Sequence, residues 1–203
     1  MKEVCVKGLK IIASIFSAVL LTQSAAFAAI PYTTAWYVEL NPGYSAVNGV
    51  AYPGKVYHSG FGGNITFGYK FNPYIGLDVG YTYYSDVRIK APTGQQVAFS
   101  QHYSYDMAAK LMLPIAQTGV NVFGRGGMGR IRSYTHVKNE AVANLNHYTF
   151  NAGVHTRTVP VYGAGAEYAI LKNLEASMEW MRAQGNNTTG QLDLYSLGLT
   201  YLF

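Results

Sequence analysis

Three residues of hydrolase type alternate along one short stretch: His102, Ser104 and Asp106. In an extended strand all three point to the same side, so a base, a nucleophile and an acid would share a face. Their spacing works against a triad. Residues two apart on a strand are roughly 6.5 Å apart, whereas a proton relay needs about 2.6–3.2 Å between heavy atoms. Partners from other strands would be required. A second motif, Gly124-Arg125-Gly126-Gly127-Met128-Gly129, has the G-x-G-x-x-G spacing of a dinucleotide-binding turn. That chemistry needs a strand before the motif and a helix after it, so that the helix N-terminus faces the pyrophosphate. Here strand-like alternation runs through the motif, and close packing of strands explains the glycines better. His58, His102, His136, His147 and His155 show no H-x-x-x-H or H-E-x-x-H spacing. No metal site and no cofactor is expected.

The elements that would position these residues come after an N-terminal leader. Lys2, Lys7 and Lys10 stand against Glu3, an apolar run covers Ile11 to Leu21, and Ala26-Phe27-Ala28 forms an A-x-A site before Ala29. This is the order of parts in a secretory signal peptide. The apolar run is too short for a spanning helix, which needs about 20 residues. A cleaved leader over 1–28 and a single domain over 29–203 are expected. Loss of three bases and one acid lowers the formal charge from +5 to +3. No Lys/Arg cluster remains to suggest nucleic acid as a partner. Cys5, the only cysteine, falls in the leader, so the rest of the chain has no thiol for a disulfide or thiolate site.

Beyond the leader the chain carries all 18 tyrosines, both tryptophans and most of the 22 glycines, with 12% charged residues overall. Aromatics and glycine at this level suit strands and tight barrels. Period-two alternation recurs over about eight segments: 33–41, 61–71, 74–84, 98–113, 119–131, 157–170, 173–183 and 191–203. In the third, Ile75, Leu77, Val79, Tyr81 and Tyr83 oppose Gly76, Asp78, Gly80, Thr82 and Tyr84. Connections alternate in length. Asn72-Pro73, 114–118 and 171–173 are tight, whereas 42–60, 85–97, 132–156 and 184–190 are long and polar. Short turns at one rim and long loops at the other mark an outer-membrane barrel, with the turns periplasmic. The expected fold is all-β, an eight-stranded antiparallel up-and-down transmembrane β-barrel in the cell outer membrane.

Counting from each short turn brings six charges to a similar height, roughly 13–23 Å along their strands. They are Glu39, Asp78, Lys110, Arg125, Glu167 and Glu179, all on the polar face. Solvated charges on a soluble sheet have no reason to share a level, so an interior ion-pair network is expected.

The segments themselves resemble the N-terminal transmembrane barrel of OmpA-like outer-membrane proteins. Gly68-Tyr69-Lys70-Phe71-Asn72-Pro73-Tyr74-Ile75-Gly76-Leu77-Asp78-Val79-Gly80-Tyr81 looks like that family's second hairpin. Ala109-Lys110-Leu111 and the stretch from Phe123 to Met128 are similar to its fourth and fifth strands. The run from Pro160 to Ile170 resembles its sixth, and that from Ser196 to Phe203 its last. The resemblance implies an interior network with Lys110 and Glu167 as one pair and Asp78 as the acid of another. The base that the family supplies to that second acid corresponds to Ser177 here. Two outcomes are open: a looser, locally anionic plug, or a rescue of Asp78 by Arg125. The family's separate peptidoglycan-binding domain has no counterpart before Phe203, so wall anchoring through this chain is not expected.

The expected function is that of a non-enzymatic outer-membrane protein. It would contribute to envelope integrity and use its long loops for adhesion or for contact with host surfaces or phage. A narrow gated ion pore and a lipid-modifying enzyme are the alternatives. Expected partners are outer-membrane lipids and lipopolysaccharide, host-surface ligands, and the insertion machinery, with the chain a monomer. The terminal register Tyr195, Leu197, Leu199, Tyr201, Phe203 makes Tyr201 and Phe203 the expected assembly signal.

Overall fold

The computed structural model describes residues 34–203 except 51, 117 and 151. The expected leader over 1–28 lies outside the described residues. Eight long antiparallel strands close into a ring: β1 (Ala35–Asn48), β3 (Ser59–Lys70), β4 (Ile75–Lys90), β5 (Gln96–Pro114), β6 (Val120–Val137), β7 (Gly153–Leu171), β8 (Leu174–Ala183) and β9 (Gln191–Leu202). Each pairs with its two neighbours, β4 with β5 and β9 with β1 included. Closure leaves no strand edge for lipid to satisfy, which is the condition for a sheet to span a bilayer. A short strand, β2 (Lys55–Tyr57), adds to the outer end of β4, and one helix, α1 (Glu140–Leu145), lies in the β6–β7 connection.

Local chemistry explains the tight rim. Asn72 Oδ1 accepts from the backbone N–H groups of Tyr74 and Ile75 at 2.8 and 2.9 Å, an Asx turn that reverses the chain between β3 and β4. Gly119, with φ of 74°, takes the left-handed conformation that ends the β5–β6 turn. Along each strand the outward residues are apolar and exposed, among them Leu40, Phe67, Leu77, Leu111, Val122 and Leu199. The residues on the alternate positions are buried, largely polar in the part of each strand near the tight rim and more apolar towards the outer end. This inverts a soluble protein and matches a barrel that faces lipid outside and side chains inside. Aromatic pairs sit at both ends of the apolar band, with Trp36–Tyr69 at 4.8 Å near the tight rim and Tyr81–Tyr105 at 5.2 Å near the other.

The strands run further outward than alternation indicates. β5 and β7 each have 19 residues and β6 has 18, against about 9–11 needed to cross the membrane. The loops expected at 42–60, 85–97 and 132–156 are correspondingly shorter. Above the membrane both faces of a hairpin meet water or other loops, so the hydrophobic period fades while the backbone ladder continues. β8, by contrast, has only 10 residues and first meets β7 at Val161. The outer rim is therefore uneven, high over β4 to β7 and low over β8, β9 and β1.

The raised part has a small core of its own. Ala91, Val97 and Ala143 are buried together, with Val137, Val142, Tyr148 and Phe150 packed around them. Asn139 caps α1 by accepting from Val142 N at 3.1 Å. The backbone N–H groups of Lys138 and Asn139 both donate to Val97 O, at 2.8 and 3.1 Å. The β4–β5 and β6–β7 tips are thus joined into one folded crown.

Candidate functional site

The lower and middle lumen is an ionic layer built around three bases. Lys70 lies 2.7 Å from Glu175 and 3.5 Å from Glu167. Lys110 is paired with Glu167 and lies 3.5 Å from Glu39. Arg125 spreads its guanidinium across Asp106 at 2.7 Å, Asp78 at 2.9 Å and Glu179 at 3.4 Å. All nine side chains are at most 3% exposed. Tyr37 stands between the three groups. Its hydroxyl donates to Asp78 at 3.2 Å, and Lys70 and Lys110 lie 5.7 and 5.6 Å from its ring centroid. Phe123 takes Lys110 over its face at 4.0 Å. Both rings need room: a Cβ at Gly68 would overlap Tyr37, and one at Gly165 would come within 2.5 Å of Phe123.

Above this layer the lumen turns apolar. Val47, Tyr84, Ile131, Val161, Met181 and Leu194 belong to a cluster of inward side chains contributed by β1, β4, β6, β7, β8 and β9. The β5 wall completes the level with His102 and Ser104, which are also buried. A cavity of about 120 Å³ opens above the plug, lined by Tyr52, Pro53, Thr135, Phe150, His155 and Thr188 among others.

The structure brings all six charges expected in the network into one layer, and it adds Lys70, Glu175 and Asp106. Lys70 and Glu175 sit beside the tight turns, where too few strand residues follow to mark their face by pattern. Their parity with Gly68 and Ser177 was the available signal. Arg125, from β6, holds Asp78, so the looser plug is not what is observed. Ser177 instead donates to Asn41 Oδ1 at 3.1 Å. His102, Ser104 and Asp106 do not converge. Asp106 holds Arg125, Ser104 meets the Tyr84 hydroxyl at 3.4 Å, and His102 Nε2 meets Ser133 Oγ at 3.2 Å. The glycine-rich motif lies wholly inside β6, and a Cβ at Gly127 would collide with the Met107 carbonyl, so close strand approach explains that glycine. Among the described residues no group of His, Cys, Asp or Glu is arranged to hold a metal. Tyr201 and Phe203 face outward at the tight rim, their rings 6.4 Å apart, and Phe203 N donates to Trp36 O at 3.0 Å.

Comparison with known proteins agrees with this geometry. Residues 14–203 match the family described as outer membrane protein beta-barrel domain. Outer membrane protein A of Escherichia fergusonii is 29% identical over 186 residues, which are 86% of this chain and 50% of that protein. The chain thus spans about half the length of that relative. An uncharacterized protein of Coxiella burnetii is 29% identical over 175 residues, 71% of this chain and 68% of the relative. Among solved structures, Neisserial surface protein A superposes with a TM-score of 0.55 at 17% identity, covering 85% of this chain and 100% of that one. Ail of Yersinia pestis gives 0.54 at 16%, with the same coverage. These two likenesses concern the fold. With a closed eight-stranded barrel, an apolar outer band and a family match over nearly the whole chain, the protein is a member of the outer membrane protein beta-barrel domain family and resides in the cell outer membrane.

Proposed function

We propose that the protein is a non-enzymatic barrel whose folded outer crown contacts surfaces beyond the cell, while the barrel contributes to envelope integrity. The observation that carries this reading is the separate core of the crown, in which α1 packs on the β4–β5 tip. Connections that served only to link strands would have no need of one, because binding surfaces are the parts of loops that gain from being held in place. Lys138 is exposed on it and Lys55 is exposed at its edge on β2, which favours anionic ligands.

The pore reading is weakened by the apolar layer, since an ion crossing it would lose water without finding a partner. The enzyme reading is weakened by the His102–Ser133 contact itself. Both residues are at most 1% exposed, and His102 Nδ1 has no hydrogen-bond partner among the described residues to orient the ring.

Ail of Yersinia pestis has been crystallised with the heparin analogue sucrose octasulfate, so immobilised heparin and cultured host cells are suitable first probes. Cells displaying the wild type should adhere to one or both, and cells displaying a chain lacking residues 139–149 should not, at equal surface amounts. Equal adhesion by the two, or none by the wild type above cells without the protein, would remove this reading.

A further inference from the structure

β7 continues past the end of its neighbour. Its pairing with β8 begins at Val161, and the last bond on that side is the one that Gln184 N donates to Pro160 O at 3.0 Å. Residues 153–159 are paired with β6 alone, in continuous register from Gly153 opposite Thr135 to Val159 opposite Gly129. Successive residues of an antiparallel strand turn their N–H and C=O groups to opposite sides. Since Pro160 faces β8, Thr158, Thr156 and Val154 face the same way, and at their level β8 has already ended. Thr156, Arg157 and Thr158 are exposed in succession, on both faces of the strand, as expected of an open edge. Pro160 is eleven residues before Leu171, roughly 36 Å along a strand tilted by about 35–45°, which lifts it about 28 Å from the tight rim. The edge therefore lies beyond the apolar band, where its backbone groups can meet water or another chain.

Exposed edges are normally blunted by lysine, proline, a bulge or a covering segment. Residues 153–159 carry none of the first three, and Val154, Thr156, Thr158 and Val159 are β-branched. Two features beside the edge point to what it takes. Arg157 has no carboxylate within ion-pair distance among the described residues, so an acid on an incoming segment would find a partner there. His155, on the same face, lines the cavity above the plug together with Tyr52, Pro53, Phe150 and Thr188. At about 120 Å³, that cavity approaches the roughly 150 Å³ that holds a benzene ring, which is room for one apolar side chain. A strand added along β7 sends every second side chain to this face, and pockets for alternate side chains are what give added strands their specificity. A second copy fits poorly. Antiparallel pairing about Thr156 would set two Arg157 side chains at diagonal positions on one face, a like-charge contact.

We propose that the edge of β7 over residues 153–159 receives an extended acidic segment of a partner protein as an added strand, with an acid against Arg157 and an apolar side chain in the cavity beside His155. This deepens the crown reading by naming the class of partner, and it rests on that reading only for the position of the crown outside the cell.

The full chain, refolded in a non-ionic detergent, would be titrated with three synthetic peptides and binding followed by fluorescence anisotropy. The first carries glutamate and phenylalanine two residues apart among β-branched residues, matching the spacing of Arg157 and His155. The second has lysine for the glutamate. The third is the first peptide N-methylated at the residues between and beside those two, so that it cannot bond to an edge. Wild type should bind the first at least about ten-fold more tightly than either of the others, as expected for a few hydrogen bonds and one charge pair. Thr156→Pro removes a donor from the free edge and leaves the β6 ladder intact, so it should weaken the first peptide by a similar factor. Arg157→Glu should exchange the preference between the first and second peptides; it also serves if the proline variant lacks the heat-modifiable migration of a folded barrel. No binding of the first peptide, binding undiminished by N-methylation or by Thr156→Pro, or self-association of the wild type that Thr156→Pro abolishes would overturn the assignment. Both variants keep residues 139–149, so adhesion by the crown and strand addition at β7 can fail separately.

Discussion

Tyr37 and Gly68 show how tightly the ionic layer is packed. The ring lies against the glycine, donates to Asp78 and takes two lysines near its faces. Gly68→Ala should therefore cost about 1–3 kcal/mol, the usual penalty of overpacking, seen as a lower urea midpoint for protein refolded in vesicles. Arg125 serves three acids at once, so Arg125→Met would leave Asp78, Asp106 and Glu179 without a base. Breaking a buried ion pair by removing one partner typically costs about 3–5 kcal/mol. Adding Asp78→Asn and Asp106→Asn to Arg125→Met should recover part of that loss. An Arg125→Met variant as stable as the wild type would show that the acids find other partners, and the shared-base account would be wrong.

Strands and hairpins carry a different set of consequences. Because Val97 is fully buried and its carbonyl receives both Lys138 N and Asn139 N, the crown depends on contacts between two hairpins rather than on either alone. Val97→Asp places a charge in that small core. Intact cells treated with protease should then show cleavage within residues 138–152, while the barrel keeps its heat-modifiable migration; an uncut chain would mean that α1 is held by something else. The last strand has its own test. Phe203 N closes onto Trp36 O, and its ring reaches Phe67 at 6.3 Å, so few contacts are lost on its removal. Deleting Phe203 should reduce folded protein in the outer membrane several-fold yet leave refolding of purified chain into detergent nearly unchanged. Equal losses in both would make Phe203 a stability residue instead of an assembly signal.

For the molecule as a whole, what matters is the stacking of an apolar plug on an ionic layer. Six acids stand against three bases in the layer, an excess that by itself suggests passage of cations. The plug above argues the other way, since an eight-stranded barrel is just wide enough for side chains to fill. Planar bilayers holding the wild type should be silent, and Ser177→Arg should be silent too. Met181→Ser combined with Leu194→Ser should admit water and give small openings. Openings in the wild type that Ser177→Arg suppresses would instead locate the gate in the ionic layer.

Sequence alone determined the barrel, because strand alternation and turn chemistry are local: Asn72 makes its own turn, and parity fixes which face Glu39, Asp78, Lys110, Arg125, Glu167 and Glu179 occupy. Parity does not say which acid a base will hold. Arg125 reaches Asp78 across the lumen from a strand that is not its neighbour, and Lys70 meets Glu175 from 105 residues away. Such pairs depend on the diameter and shear of the closed ring, which no single segment contains. The apolar plug was hidden for the same reason. Val47, Tyr84, Ile131, Met181 and the pairs Val159/Val161 and Leu192/Leu194 come from six different strands, each adding only one or two apolar residues to an inward face, and only closure gathers them into one layer. The crown lay furthest from view. Its hairpins have no buried face set by lipid, so the chain carried no period there, and the packing of α1 against Val97 had to be decided by tertiary contact.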